Sequence, residues 1–193
     1  MPTRRTAILA SSLTAVALCV PATVEAQASG GTTDVAPPPE VAADLPGALW
    51  AGSGRLRYFT FNVYDATLWV APGFNASRFA QTALALQLTY LRSLDGHLIA
   101  QRSLTEMKRS ASLTPAQEQR WLATMEDAFP NVKSGDRITG LHQPGIGAKF
   151  WFNGSARAVV ADPEFSRLFF GIWLAETTSE PRLRAALLAR VTS

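Results

Sequence analysis

Polar side chains that could contact a ligand are concentrated in one stretch of the sequence, residues 52–70. The stretch is rich in aromatic and β-branched residues, which favour a β-strand. Side chains alternate along a strand, so the stretch should present two faces. The predicted core face carries Phe59, Phe61 and Val63, and the predicted ligand face carries Tyr58, Thr60, Asn62 and Tyr64. Hydroxyls and an amide among aromatic rings suit a mostly apolar ligand with one polar end.

Two arginines, Arg55 and Arg57, lie near the start of this stretch, at the predicted mouth of the ligand face. An arginine partly enclosed by rings needs an anionic or carbonyl partner, because a bare buried charge is costly. That partner could be a ligand carboxylate, or a carboxylate of the chain itself such as Asp65 or Glu106. A third alternative also stays open, in which the polar face is only the solvated side of a half-exposed strand.

Other kinds of site find little support in the sequence. The two histidines, His97 and His142, lack the spacing of metal ligands, and we expect no metal and no cofactor. The run 144–149 superficially resembles a phosphate loop, but it lacks the hydroxyl residue after Lys149 and leads into a predicted strand, so it indicates a turn. The net charge is +3 and the basic residues are dispersed, which argues against a nucleic-acid partner.

The N-terminus has the features of a secretory signal peptide. Arg4 and Arg5 precede an apolar segment over residues 7–20, and small-residue cleavage sites follow near Ala26 and Ala28. We therefore predict a signal peptide over 1–28, a disordered spacer over 29–44 and one domain over 45–193. The product should be periplasmic or secreted, without stable membrane insertion. The single cysteine, Cys19, lies inside the signal, which leaves the mature chain without thiols or disulfides.

The remaining patterns predict a mixed α and β domain. Helix starts are indicated at Asn75, at the capping box of Thr114 and Gln117, at Asp162 and at Glu180. Strands are predicted after the opening hairpin over residues 84–90, 137–142, 148–152 and 156–161. Asn153-Gly154 indicates a tight hairpin between the last two. Because no strand–helix–strand repeat occurs, we predict an α+β fold whose antiparallel sheet is covered by helices.

Several motifs in order resemble the chalcone isomerase-like family. After the glycine-rich aromatic strand with Val63-Tyr64 come Leu88-Thr89-Tyr90-Leu91-Arg92, Lys133-Ser134-Gly135-Asp136, Pro144-Gly145-Ile146-Gly147, Asn153-Gly154 and Phe169-Phe170-Gly171-Ile172-Trp173-Leu174. They extend over about residues 45–188. The resemblance implies the open-faced β-sandwich of that family, which includes plant chalcone isomerases, fatty-acid-binding proteins and exported bacterial members.

The resemblance also implies a site. In fatty-acid-binding members, an arginine after the glycine pair and the tyrosine of Val-Tyr hold the ligand carboxylate. Tyr64 matches that tyrosine, whereas the arginine position falls on Leu56, between Arg55 and Arg57. Either arginine could serve if the strand bulges, and Arg57 is favoured because it lies further along the strand.

Chalcone isomerases use a threonine on the opening strand and a tyrosine, a lysine and an asparagine on the following helix. Thr60 could supply the threonine, but the helix positions are occupied by His97, Ala100 and Leu104, although a shifted alignment would bring in Gln101 or Arg102. No ammonium group is then left to stabilise an oxyanion.

Three functions follow as alternatives. We predict an exported, non-catalytic protein that binds a fatty acid or a similar amphipathic carboxylate, with Arg57, Arg55, Tyr64, Thr60 and Asn62 as ligand-binding residues. The first alternative is an isomerase, an intramolecular lyase acting on a small apolar substrate, for which His97 could be a general base. The second is a purely structural or partner-binding domain with a filled cleft, which a cavity of several hundred Å³ would exclude.

Overall fold

The computed structural model describes residues 34–191, in which six strands form one antiparallel sheet in chain order. The strands are β1 (Leu49–Tyr58), β2 (Phe61–Val70), β3 (Leu84–Tyr90), β4 (Arg137–Gln143), β5 (Gly147–Phe152) and β6 (Ser155–Val160). The turn between β5 and β6 has left-handed backbone at Asn153 (φ 50°) and Gly154 (φ 83°), as the predicted tight hairpin requires.

Helices precede, connect and follow the strands. They are α1 (Pro39–Asp44), a 3₁₀ helix (Ala76–Gln81), α2 (Gly96–Met107), α3 (Pro115–Ala128), α4 (Pro163–Leu174) and α5 (Pro181–Leu187). The predicted caps form at three of these starts. Asn75 accepts a hydrogen bond from the Ser77 amide, Thr114 and Gln117 form the capping box, and Asp162 accepts from the amides of Glu164 and Phe165. Glu180 precedes α5 without a capping hydrogen bond from its side chain.

One face of the sheet packs against α2 to α5, and the main core lies between these layers. Helix α4 fills its centre with aromatic rings: the rings of Phe165 and Phe169 stack with centroids 5.7 Å apart, and Phe150 of β5 meets Phe169 edge-on at 5.1 Å. The glycine pair of β1 serves this packing. A Cβ at Gly52 would clash with the Ala186 carbonyl oxygen, so glycine allows α5 to lie directly on the strand.

The outer face of the sheet is covered by the segment 34–48, which we call the N-terminal strap. Val41 and Leu45 are buried against Trp69 and Trp151, and the Trp69 indole Nε1–H donates to the Val35 carbonyl oxygen at 2.8 Å. The predicted disordered spacer is therefore wrong for residues 34–44, because Val41 of α1 and Leu45 just after it are buried against the sheet. Residues 29–33 and the predicted signal peptide lie outside the described residues.

The predicted α+β architecture, an antiparallel sheet covered by helices, is confirmed. The predicted alternation at the start of the chain is wrong. Residues 52–70 form two strands that reverse at Phe59 and Thr60, and the supposed core residues Phe59 and Phe61 are 84% and 58% exposed. Phe59 lies in the turn itself and Phe61 pairs with Tyr58 directly beside it, and period-two counting does not hold through a turn. Within residues 34–191, no helix has the length and hydrophobicity needed to cross a bilayer.

Candidate functional site

A cavity of about 350 Å³ lies between the sheet and the helix layer. Its wall is formed by β1 to β4, α2 and α4, together with the residues just before α5. Most of the wall is apolar. The central apolar side chains are Leu56, Val63, Leu88, Ile138, Phe169 and Ile172. The cavity excludes the alternative of a filled cleft, since its volume is within the range of small-molecule sites.

Three residues in register across the sheet, Leu56 of β1, Tyr64 of β2 and Tyr90 of β3, line one wall of the cavity. A register shift between β1 and β2, just after Leu56, leaves Val63 without a partner on β1. Both Val63 and Tyr64 consequently line the cavity, although neighbouring residues of a regular strand would face opposite sides. The strand does bulge, but the bulge brings a valine and not an arginine to the site.

Tyr64 is anchored by α4. Its hydroxyl oxygen accepts a hydrogen bond from the Trp173 indole Nε1–H at 2.9 Å, and its ring meets that of Tyr90 edge-on at 5.9 Å. Burial raises the pKa of Tyr64, so the phenol stays protonated at neutral pH. Because the indole can only donate, the phenol proton remains available to an acceptor in the cavity.

Tyr90 supplies a second phenol to the same wall. It is 2% exposed, and within residues 34–191 its hydroxyl makes no hydrogen bond to another side chain or to the backbone. Burial raises the pKa of Tyr90 as well. The Tyr90 hydroxyl is therefore free to make a hydrogen bond to a ligand oxygen in the cavity.

Four charged residues also line the cavity: Arg92, Arg102, Glu106 and Glu180. Arg102 and Glu106 neutralise each other on α2, where Arg102 Nη2 lies 2.6 Å from Glu106 Oε1. Arg92 has no ion-pair partner among the described residues, and its guanidinium carbon lies 5.0 Å from the centroid of the Phe61 ring. Arg92 is therefore the cation of the cavity wall that is free to pair with an anionic ligand.

The structure does not bring the two predicted arginines to the cavity. Arg55 lies on the outer face and makes a two-pronged ion pair with Asp65, with nitrogen–oxygen distances of 2.6 and 2.8 Å. This is one of the two intramolecular pairs considered from the sequence, and it raises the pKa of Arg55. Arg57 is exposed and does not line the cavity.

Of the other predicted site residues, Tyr64 lines the cavity, whereas Thr60 and Asn62 lie exposed at and beside the hairpin turn. Tyr90, Trp173 and Arg92 were not named as site residues. Tyr90 could have been found, because it continues the alternation of Leu84, Leu86 and Leu88 on the core face of β3. The positions of Trp173 and Arg92 depend on packing between distant elements.

The resemblance to chalcone isomerases implies three site positions on α2, and their side chains do not bring polar groups to the cavity. Ala100 and Leu104 are buried in the core. His97 does not line the cavity, and its Nδ1 lies 2.6 Å from Glu126 on α3. Of the two residues that a shifted alignment would bring in, Arg102 lines the cavity and Gln101 does not.

His142 lies apart from the cavity and is fully enclosed. Its Nε2–H donates to the Ala80 carbonyl oxygen at 3.0 Å, so its Nδ1 accepts from the Ser166 hydroxyl at 2.7 Å. Burial lowers the pKa of His142, which keeps the imidazole neutral. Among the described residues, no three histidine, cysteine or acidic side chains are grouped closely enough to hold a metal ion.

Comparison with known proteins gives three similarities. The model of the family described as chalcone isomerase-like matches residues 48–189. An uncharacterised protein of Haemophilus influenzae is 27% identical over 150 residues, which make up 77% of this chain and 72% of that protein. The crystal structure of a fatty-acid binding protein of Arabidopsis thaliana superposes with a TM-score of 0.57 at 14% identity, covering 74% of this chain and 87% of the other. At that identity the superposition shows a shared fold and confirms the predicted sandwich.

Proposed function

The chain belongs to the chalcone isomerase-like family, and on that basis we propose that it binds a fatty acid or a similar amphipathic carboxylate without converting it. The observation that carries this proposal is the cavity of about 350 Å³, whose wall is apolar except for a few polar groups. An acyl chain would occupy the apolar part, where burial of each methylene contributes about 0.8 kcal/mol. The ligand named for the Arabidopsis structure is of the same chemical class.

The carboxylate would be held by Arg92 together with a tyrosine hydroxyl. Arg92 is free of acidic partners among the described residues, and Tyr64 and Tyr90 both place protonated phenols at the wall. Leu56 occupies the position at which fatty-acid-binding relatives are expected to carry arginine, so this chain would bind the head group from the segment that follows β3. Glu180 also lines the cavity and would repel a carboxylate placed next to it.

A binding role is favoured over turnover because the described residues of the cavity wall include neither the lysine nor the asparagine that chalcone isomerases carry on the helix after the opening strands. Among the described residues, no lysine or histidine lines the cavity, and burial raises the pKa values of Tyr64 and Tyr90, two of its three tyrosines. A general base should have a pKa near the working pH. Absorbance of a chalcone solution tests this directly: cyclisation should stay at the uncatalysed rate, and an acceleration of about a thousandfold or more would favour the isomerase.

Fatty-acid titration of single variants tests the proposed anchor. Arg92→Ala should weaken binding of a long-chain fatty acid by about tenfold or more, because a charge-assisted bond in a low-dielectric cavity contributes roughly 1.5–3 kcal/mol. Arg57→Ala is the matched control: it removes a nearby arginine that does not line the cavity, and it should leave binding unchanged. Tyr90→Phe should weaken binding while leaving the unliganded melting temperature nearly unchanged, since its hydroxyl has no protein partner in the described region.

A fatty alcohol of equal length has the hydrocarbon tail of the acid but no carboxylate, so it shows how much of the affinity depends on the carboxylate. It should bind the wild type more weakly than the acid does, and its affinity should be nearly the same for Arg92→Ala as for the wild type. Equal binding of acid and alcohol would refute the carboxylate anchor. Failure of both to bind, together with no lipid found by native mass spectrometry and solvent extraction of the purified protein, would refute the function itself.

Export is part of the same proposal. It is supported by Arg4 and Arg5 followed by the apolar segment and the small-residue cleavage sites. N-terminal sequencing of the periplasmic protein should begin near Gln27 or Ser29. Recovery of only the uncleaved chain from the cytosol would contradict it.

A further inference from the structure

The hairpin that joins β1 to β2 ends in an exposed aromatic cluster, Tyr58, Phe59 and Phe61, which we call the aromatic tip. Tyr58 is 63%, Phe59 84% and Phe61 58% exposed. The rings of Tyr58 and Phe59 meet edge-on at 4.7 Å. Exposed apolar clusters of this kind indicate contact with another molecule.

Folding alone does not explain these side chains. Phe59 has a φ of 51°, a left-handed conformation that bulky residues rarely adopt and that glycine or asparagine would adopt at lower cost. Its ring is nonetheless almost entirely exposed to solvent, so no buried contact of the side chain offsets the cost of this backbone conformation. The turn is thus strained in a way that presents a phenylalanine outward.

Positive charge accompanies the aromatic tip. Arg92 lies against the Phe61 ring, and Arg57 is exposed on β1 one residue before Tyr58. Neither arginine has an acidic partner within 4.0 Å among residues 34–191. Aromatic rings flanked by arginines match the chemistry of an anionic bilayer surface, where rings enter the head-group region and arginines meet phosphates.

The aromatic tip also borders the mouth of the cavity. Tyr58 and Leu98 both line the cavity, yet they are 63% and 60% exposed, so they lie where the cavity meets solvent. Arg92 belongs to both features. A molecule that left a bilayer at the aromatic tip would therefore enter the cavity directly.

We propose that the aromatic tip docks the protein on an anionic lipid bilayer and that the ligand passes between membrane and cavity beside Tyr58 and Leu98. The passage of ligand rests on the proposed function. The docking surface is supported independently by the exposed rings of the aromatic tip, the left-handed backbone at Phe59 and the two neighbouring arginines. The contact is peripheral: rings and arginines reach the head groups while the folded domain stays outside.

Vesicle flotation tests this, using the protein in the form that accumulates in cells. Wild type should bind vesicles of phosphatidylcholine with phosphatidylglycerol, and should bind pure phosphatidylcholine more weakly. The double variant Phe59→Ser, Phe61→Ser should lose about tenfold or more in vesicle affinity. Ile146→Ser is the matched control, because Ile146 is 60% exposed in the β4–β5 turn at the opposite end of the sheet. Hydrogen exchange should show protection by vesicles at residues 57–62 and none at 143–147.

The outcomes separate docking from ligand binding. Unchanged vesicle affinity in the double variant, or protection elsewhere than at the aromatic tip, would overturn the docking surface. A wild-type dimer that the double variant disperses, without vesicle binding, would assign the aromatic tip to self-association instead. Affinity for a dissolved fatty acid should be unaffected by Phe59→Ser alone, because Phe59 does not line the cavity and the ring that lies against Arg92 is that of Phe61. If no fatty acid binds while vesicle docking depends on the aromatic tip, the proposed function fails and the docking surface stands.

Discussion

The two faces of the same sheet are covered in different ways. On the inner face, helices carry large aromatic side chains and leave a cavity of about 350 Å³. On the outer face, the N-terminal strap lies flat over Trp69, Trp151 and Leu141. Polar contacts secure the strap at several points, including the Thr139 hydroxyl donating to Glu40 Oε1 at 2.9 Å and Lys149 Nζ at 3.2 Å from Asp44.

Neighbouring residues of one strand illustrate the difference. Tyr64 of β2 faces the cavity and is held by Trp173, whereas Asp65 faces outward and is neutralised by Arg55. The inner face thus keeps polar groups whose hydrogen bonds are incomplete, and the outer face pairs its polar groups within the chain. Polar groups with incomplete hydrogen bonds on the wall of an apolar cavity are typical of a small-molecule binding site. Four changes test this contrast.

The largest expected effect is on the inner core. Phe170→Ala removes a fully buried ring that packs beside Phe169, and it should lower the free energy of unfolding by about 3–5 kcal/mol. Urea unfolding measures this. Phe59→Ala is the control, because an 84% exposed ring should contribute little to stability. Similar losses in both variants would contradict the assignment of the core.

The next effect is on the strap. Leu45→Ala should cost about 2 kcal/mol, at the low end for a buried leucine because a short strap can relax into the space. The strap does not line the cavity, so fatty-acid affinity should not change. A variant that lost affinity as well as stability would show that the two faces are coupled.

A smaller effect should appear with pH. Burial lowers the pKa of His142 below its ordinary value of 6.5, partly offset by the hydrogen bond to Ala80. As the pH falls, the unfolded chain takes up a proton on this histidine before the folded protein does. The contribution of the neutral His142 to the free energy of unfolding is therefore complete above about pH 6.5 and is lost as the pH falls through the pKa of the folded protein. The urea midpoint should drop between about pH 7.5 and pH 5.5, and His142→Gln should reduce that drop. An equal drop in both proteins would show that other groups cause it.

The smallest effect should follow from Arg55→Ala. Its ion pair with Asp65 is exposed on the outer face, and such pairs contribute little because water and salt screen them. Both the urea midpoint and the affinity for a fatty acid should stay nearly unchanged. A marked loss of affinity would return Arg55 to the binding site and contradict its assignment to the outer face.

Local signals made much of the fold predictable. The capping box at Thr114, the cap at Asp162 and the Asn153-Gly154 turn are each decided by residues close together in the chain, and the structure has all three. The site was less predictable. Tyr64 was identified through the resemblance. Arg55 instead forms an ion pair with Asp65, its partner across the β1–β2 ladder, and this pairing depends on strand register. The predicted alternation of side chains failed at the turn near Phe59.

By itself, the sequence determined the α+β class, the antiparallel sheet and most helix starts, because caps, turns and apolar periodicity act over a few residues. Only the tertiary structure decided which polar groups meet the cavity. Tyr90, Arg92 and Trp173 come together there from β3, the residues after it and α4. The strap was decided in the same way, since Val41 and Leu45 are buried against Trp69 and Trp151, which lie far along the chain. Long-range contacts of this kind leave no periodic signal in the sequence, because their partners are set by packing and register.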